Sequence, residues 1–404
     1  MSMLVASLFL GTAQPVAAQD ADAVGTAASP VGASPIIQEP PSAADSPAEP
    51  ARKAGFFSRF FDEQDGQLDF SNFLARGGFI PIPIIITEPA VDNGFGLAAA
   101  FISVPKDRPR ELTRTAVAAF KTGNGSWGIG AFRSGYAFDG RLNYKLGIGH
   151  GKITLETFPA FAPSGLQYTN HYDYGILGSA LWRLGDRRFS IGPLLDFRKL
   201  RSNLDIAGVP EGFGDAFNRK LQTGALGLGF HFDSRDNPLT PTRGTNALIE
   251  GKFNRGTSGS DRDYEVYKVD LYTFDKFTPD LRFGFKYEFD AVRGDFPAYF
   301  APSINLRGVQ QVQYQGMNVV SSEVELTWQV ARRWSLLAFG GYGTADAGTD
   351  RFYKDSGAIW AGGAGFRYRL ARKLGFDAGV DFAYGPQGFV FYLQFGHAWS
   401  FGMD

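Results

Sequence analysis

No cysteine occurs in the 404 residues, which removes a disulfide scaffold and any thiolate-held metal centre. Long apolar runs are missing too. A membrane-spanning helix needs about 18–20 consecutive apolar residues; the most apolar stretch, Phe79 to Thr87, is interrupted by Pro81 and Pro83 and stops at Glu88-Pro89. Net charge is almost nil, −1 from 40 Lys+Arg and 41 Asp+Glu, and no dense basic run exists, so nucleic acid is not an expected partner. Catalytic signatures are equally scarce. The four histidines (His150, His171, His231 and His397) show no HExxH or paired spacing, and no GxSxG is present. Gly123-Asn124-Gly125-Ser126-Trp127-Gly128 matches GxGxxG but lies between two strand patterns with no helix behind it, so it reads as a hairpin turn. The acidic cluster Asp62, Asp65, Gly66, Asp69 lacks the ligand spacing of a calcium loop and reads as an ordinary turn. The expectation is a chain with no enzymatic activity, no metal and no cofactor; a serine dyad on a barrel wall is the enzymatic alternative.

What the chain does have is glycine and aromatics: 51 Gly, 38 Phe and 15% aromatic residues. Glycine weakens helices, whereas so many aromatics require apolar surroundings. A transmembrane β-barrel accommodates both, with aromatics toward lipid and small residues at crowded inward positions. The beginning of the chain fits export. Met3 to Gly11 is a short apolar core and Val16-Ala17-Ala18 precedes a plausible cleavage point, although no Lys or Arg stands ahead of the core. Residues 1–18 are therefore read as a signal peptide. Residues 19–78 are read as a disordered Pro/Ala-rich tether, poor in large apolar side chains, followed by a short periplasmic segment beginning at Phe56-Phe57. Residues 79–404 are read as the barrel.

From Phe79 onward the hydrophobic pattern has period two. Leu281, Phe283, Phe285, Tyr287 and Phe289 alternate with Arg282, Gly284, Lys286, Glu288 and Asp290; Trp360 to Leu370 and Phe389 to Phe401 behave alike. Strand starts fall near residues 79, 95, 113, 126, 141, 166, 188, 221, 243, 263, 280, 317, 333, 357, 373 and 389. This predicts an all-β, antiparallel transmembrane barrel of about 16 strands, an even number as expected for closure with both ends on one side. Long connections (151–165, 205–220, 295–316, 346–356) alternate with tight ones, placing the long ones outside the cell and the short turns in the periplasm.

Three stretches resemble a known family. Gln394, Gly396, Trp399 and Phe401 have the spacing of the β-signal through which the bacterial assembly machinery recognises barrel clients; the reading is a last strand with Trp399 and Phe401 in the inner-leaflet aromatic girdle. Phe232 to Gly244, with Asp233, Arg235, Asp236, Asn237, Pro238, Arg243 and Gly244, resembles the turn between the eighth and ninth strands of the BamA/TamA-like outer-membrane assembly superfamily, the bacterial surface-antigen barrels. Leu306-Arg307-Gly308 resembles the tip of that family's sixth outer loop, and the strand count independently puts residues 295–316 in the sixth outer loop. The resemblance implies that Arg307 and Gly308 fold back into the lumen and that acids on the wall hold the arginine. Glu323 and Glu325 share the inward face of the next strand, with Glu325 the first choice. The family's wall motif F-x-D-x-G appears as Phe339-Gly340-Gly341-Tyr342-Gly343, without its aspartate. In a wet lumen such a pair would contribute about 1 kcal/mol or less, and more if the loop excludes water.

The resemblance implies residence in the bacterial outer membrane and work in protein or lipid transport or assembly. The implied partners are outer-membrane lipid, the barrel-assembly machinery during insertion and a periplasmic client. The family's working versions carry client-binding POTRA modules, for which residues 19–78 are too short, and this departure weakens a full insertase role. A passive diffusion porin and a structural or surface-interaction barrel are the alternatives.

Overall fold

A computed structural model describes residues 60–399, apart from 63, 76–78, 87–90, 104, 106, 109–110, 158–165, 206–218, 311 and 349–352. The signal peptide and most of the tether assigned above, and Phe401, lie outside the described residues. Sixteen antiparallel strands follow one another in chain order around a single sheet. They are β1 (Phe79–Ile86), β2 (Gly94–Ser103), β3 (Thr113–Thr122), β4 (Trp127–Ala137), β5 (Leu142–Thr157), β6 (Leu166–Leu184), β7 (Phe189–Asp205) and β8 (Arg219–Asp233). The second half comprises β9 (Gly244–Asn254), β10 (Tyr264–Lys276), β11 (Leu281–Gly294), β12 (Asn318–Gln329), β13 (Trp334–Asp346), β14 (Ile359–Ala371), β15 (Phe376–Gly385) and β16 (Gly388–Phe395). A five-residue helix, α1 (Ser71–Ala75), precedes β1.

The alternation read from the sequence is the alternation of burial. On β12, Val319, Ser321, Glu323, Glu325 and Thr327 are buried, while Val324, Leu326 and Trp328 are exposed on the outside. Leu97, Phe101, Leu226, Leu228, Phe230 and Trp360 belong to the same outer surface, the apolar band of a transmembrane barrel. One connection differs from expectation. Residues 151–157 continue β5 instead of opening a loop. There the outward positions are polar, as at Lys152, while the inward Ile153 and Leu155 are buried, so a pattern tuned to apolar-out strands ends too early.

Every neighbouring pair from β1–β2 to β15–β16 forms a ladder, but among the described residues none joins β16 back to β1. Chemistry on β1 accounts for this. Pro81 and Pro83 lack the N–H needed for a ladder and stand two residues apart, hence on one edge. Because β1 pairs with β2 continuously through both, its donors to β2 come from the alternate residues, such as Ile82 and Ile84. The edge that lacks donors at residues 81 and 83 faces the seam.

Candidate functional site

The connection between β11 and β12 turns inward and crosses the lumen. Ile304, Leu306 and Val309 are buried against Val319, Ala345 and Ile359 of the wall. Room for them comes from glycine: a Cβ on Gly341 would lie 2.7 Å from Leu306 Cδ2. The position where the family motif would place an aspartate is therefore occupied by a leucine from the loop. Asn305 adds a polar anchor, its N–H donating to Ser321 Oγ (2.9 Å) and its Nδ2 to Glu288 (2.8 Å), while Lys286 Nζ donates to its carbonyl (2.6 Å).

Arg307 then meets three carboxylates. Its Nε donates to Glu323 Oε1 (2.9 Å) and Nη1 to Asp381 Oδ2 (2.8 Å). Nη2 lies 2.7 Å from Glu323 and 2.8 Å from Glu325, as close ion pairs outside hydrogen-bond alignment. The guanidinium also covers the Phe339 ring at 3.6 Å. Arg367 shares Asp381 through two hydrogen bonds of 2.6 and 2.9 Å. Arg307 and its three acids are each at most 3% exposed. Both acids read from the sequence thus contact Arg307, with Glu323 making the hydrogen bond, and the burial of the group is the water-excluded case, in which the pair contributes more. Asp381 escaped sequence reasoning, its only signal being an acid at an inward position of β15.

Gly308 explains the second half of the Arg-Gly pair. Its φ is +95°, its N–H donates to Tyr392 Oη (2.7 Å), and a Cβ would lie 3.2 Å from the Tyr384 backbone. Gly308→Ala should therefore destabilise the docked loop by about 1–3 kcal/mol. Urea titration of the detergent-folded barrel checks this; a midpoint equal to the parent's would refute it.

The chain end does not follow the reading made for it. β16 stops at Phe395, and Gly396 at φ +80° turns the chain into the lumen. Trp399 is buried against Tyr272 and Phe274 instead of standing in an outer girdle, and its Nε1 donates to Glu323 (2.8 Å). His397 Nε2 lies 3.2 Å from Glu325. Gln394 remains on β16. The aromatic spacing was real, but a left-handed glycine breaks the alternation that carried Trp399 outward on paper.

The turn 234–243 is a self-capped structure. Arg235, fully buried, forms a two-pronged pair with Asp233 at 3.0 Å on each branch. Asp236 accepts from the Thr242 N–H (2.8 Å) and hydroxyl (2.5 Å). Asn237 accepts from Leu239 (2.7 Å) and donates to the Leu374 carbonyl (2.9 Å), fixing the segment around Pro238 to the β14–β15 turn. Arg243 is exposed, and Gly244 (φ +100°) has Ser234 O 2.5 Å from where a Cβ would be. Residues 60–75 lie at this same short-turn end. Arg333, in the β12–β13 turn, is held by Asp62 (2.8 Å), Asp65 (2.7 Å) and Asp69 (3.0 Å). The acidic cluster of the sequence has a guanidinium as its partner.

No family model matches the chain, and no curated protein aligns with it. Solved structures do share its fold. BamA from Haemophilus ducreyi lacking POTRA domains 1–3 matches 84% of this chain over 80% of its own, with 11% identity and a TM-score of 0.50. CdiB from Escherichia coli matches 84% of the chain over 72% of its own (9% identity, TM-score 0.51). CdiB from Acinetobacter baumannii matches 75% at 9% identity and TM-score 0.52, this chain spanning 56% of its length. At such identities the likeness is one of fold: the barrel has the architecture of BamA and CdiB.

Proposed function

We propose that this chain resides in the bacterial outer membrane as a non-enzymatic barrel of the BamA/TamA-like kind, working in the transport or assembly of protein or lipid. The observation that carries the reading is a lumen crossed by a loop pinned at Arg307, combined with an unzipped β1–β16 seam. A diffusion pore needs an open bore. Here loop 295–317, the inward chain end and the wall residues interlock across it, so passage depends on moving the loop or parting the seam.

Pro81 and Pro83 narrow the mechanism further. A β1 edge without donors at two alternate positions accepts hydrogen bonds but cannot zip with a partner strand. A client passing the seam would take its full ladder from β16 instead. In planar bilayers the intact chain should show little steady conductance. Large, stable openings from the parent protein would establish a pore and remove this reading. In cells, photo-cross-linkers on the β16 edge should capture a polypeptide or lipid in transit, whereas cross-linkers on the far wall at β8 should not. Equal yields, or none from β16, would count against a working seam.

A further inference from the structure

Away from the lumen, the outer surface carries a charge pattern that the function above does not use. Cross-strand registers align Lys121 with Trp127, Trp127 with Lys152, Lys152 with His171, His171 with Arg201, and Arg201 with Lys220. These six residues form one continuous row over β3 to β8, about 24 Å long at the usual strand spacing. The parity of each strand points the row outward, and Lys121, Trp127, Arg201 and Lys220 are exposed. On β4 to β7 the nearest outward apolar residues lie one or two outward steps from the row toward the middle of the strand: Ile129 on β4, Ile148 on β5, Ile176 on β6 and Phe197 on β7. It stands at the long-loop end of those strands. Lys199, one outward step below Arg201, is also exposed.

Compensation is scant. Among the described residues the row's one ion pair is Arg201 with Asp173 at 3.4 Å. Three cations at the same end of the other half of the barrel have partners: Arg255 with Glu265, Arg262 with Asp295 at 2.7 Å, and Arg293 with Asn318 and neighbouring carbonyls. An interfacial tryptophan among cations of which Arg201 alone has a carboxylate partner among the described residues, above an apolar wall, is the arrangement that takes an anionic lipid headgroup.

We infer that the β3–β8 row is a docking site for the phosphorylated glycolipid of the outer leaflet, its phosphates on the cations and its acyl chains on the apolar face beneath. This rests on the outer-membrane reading. The long-loop end selects the outer leaflet, and a row spanning six strands suits a headgroup bearing more than one phosphate.

The test uses the full chain in nanodiscs, with binding of bisphosphorylated lipid A measured by native mass spectrometry against its monophosphoryl form, phosphatidylglycerol and inorganic phosphate. The bisphosphorylated form should bind best. Lys152→Gln, Lys199→Gln and Arg201→Gln combined should weaken it about 100-fold, and Arg255→Gln with Arg262→Gln should not. Retained affinity in the triple variant, or equal binding of phosphatidylglycerol, overturns the inference while leaving the outer-membrane reading intact. A chain that fails to insert into bilayers at all overturns both.

Discussion

Replacing Arg307 with alanine is expected to destabilise the folded barrel by about 3–5 kcal/mol, the cost of leaving buried carboxylates without their cation. Glu323, Glu325 and Asp381 are almost wholly enclosed, so water cannot take the place of the guanidinium without the loop lifting. Arg367 still donates to both oxygens of Asp381, and His397 stays beside Glu325. Glu323 keeps only the Trp399 indole among the contacts that bind it to the chain end. The folded band on an unheated gel should lose its heat resistance, with the urea midpoint falling in parallel. Conductance in bilayers should rise as the loop leaves the bore. Arg307→Lys retains the charge but loses the fork that reaches three acids at once, so it should fall between alanine and the parent. An alanine variant as heat-resistant as the parent would mean that the loop is held by Leu306 and Ile304 packing alone.

Much of this site could be read from period two. Once Val324, Leu326 and Trp328 are assigned outward, Glu323 and Glu325 have to point inward, and a loop arginine of 16 residues' separation is within reach. Strand starts were legible for the same reason, including β8 to β9 with its self-capped turn. Asp381 was not, because it meets Arg307 only after the sheet has curved round, 74 residues along the chain, and no local motif marks it. The inward Trp399 was hidden by a single dihedral at Gly396. Whether the bore is wet or dry at the arginine was not legible, since the apolar loop residues that dry it, Ile304 and Leu306, have no signature distinguishing them from an exposed loop. The cation row needed cross-strand register, which a sequence without its sheet does not supply.

Arg333→Ala is expected to release residues 60–75 from the short-turn mouth of the barrel. Arg333 is itself enclosed, at 1% exposure, and binds three aspartates as well as the Leu68 carbonyl (3.2 Å). The segment is also tied by backbone, Phe70 N–H donating to Leu370 O at 2.8 Å, and Phe70 and Phe73 pack against the barrel's apolar interior. Asp62 keeps its ion pair with Arg372 (2.8 Å), while Asp65 and Asp69 can turn to water once the segment lifts, so the loss is local, a rise of roughly tenfold to a hundredfold in the open fraction, with little change in global unfolding. Protease cleavage within residues 60–75 should speed up accordingly while the barrel stays intact. Acid should imitate the mutation. The Arg333 hydrogen bond holds the Asp65 carboxyl below its ordinary 3.8; at Asp69 burial pushes upward, but hydrogen bonds from Ser71 and Arg333 outweigh it and the net shift is also downward. Carboxyls depressed in the folded state contribute stability that is complete above the ordinary value and fades as pH falls through the folded one. Docking should therefore be flat from pH 8 to 5 and weaken below about pH 4 in the parent, with the arginine variant showing a smaller acid step, because the Ser71 hydrogen bonds still hold the Asp69 carboxyl down. An acid step undiminished in Arg333→Ala would place the titrating contact elsewhere at the mouth, and cleavage rates unchanged by the mutation would show that Phe70 and Phe73 hold the segment without the clamp.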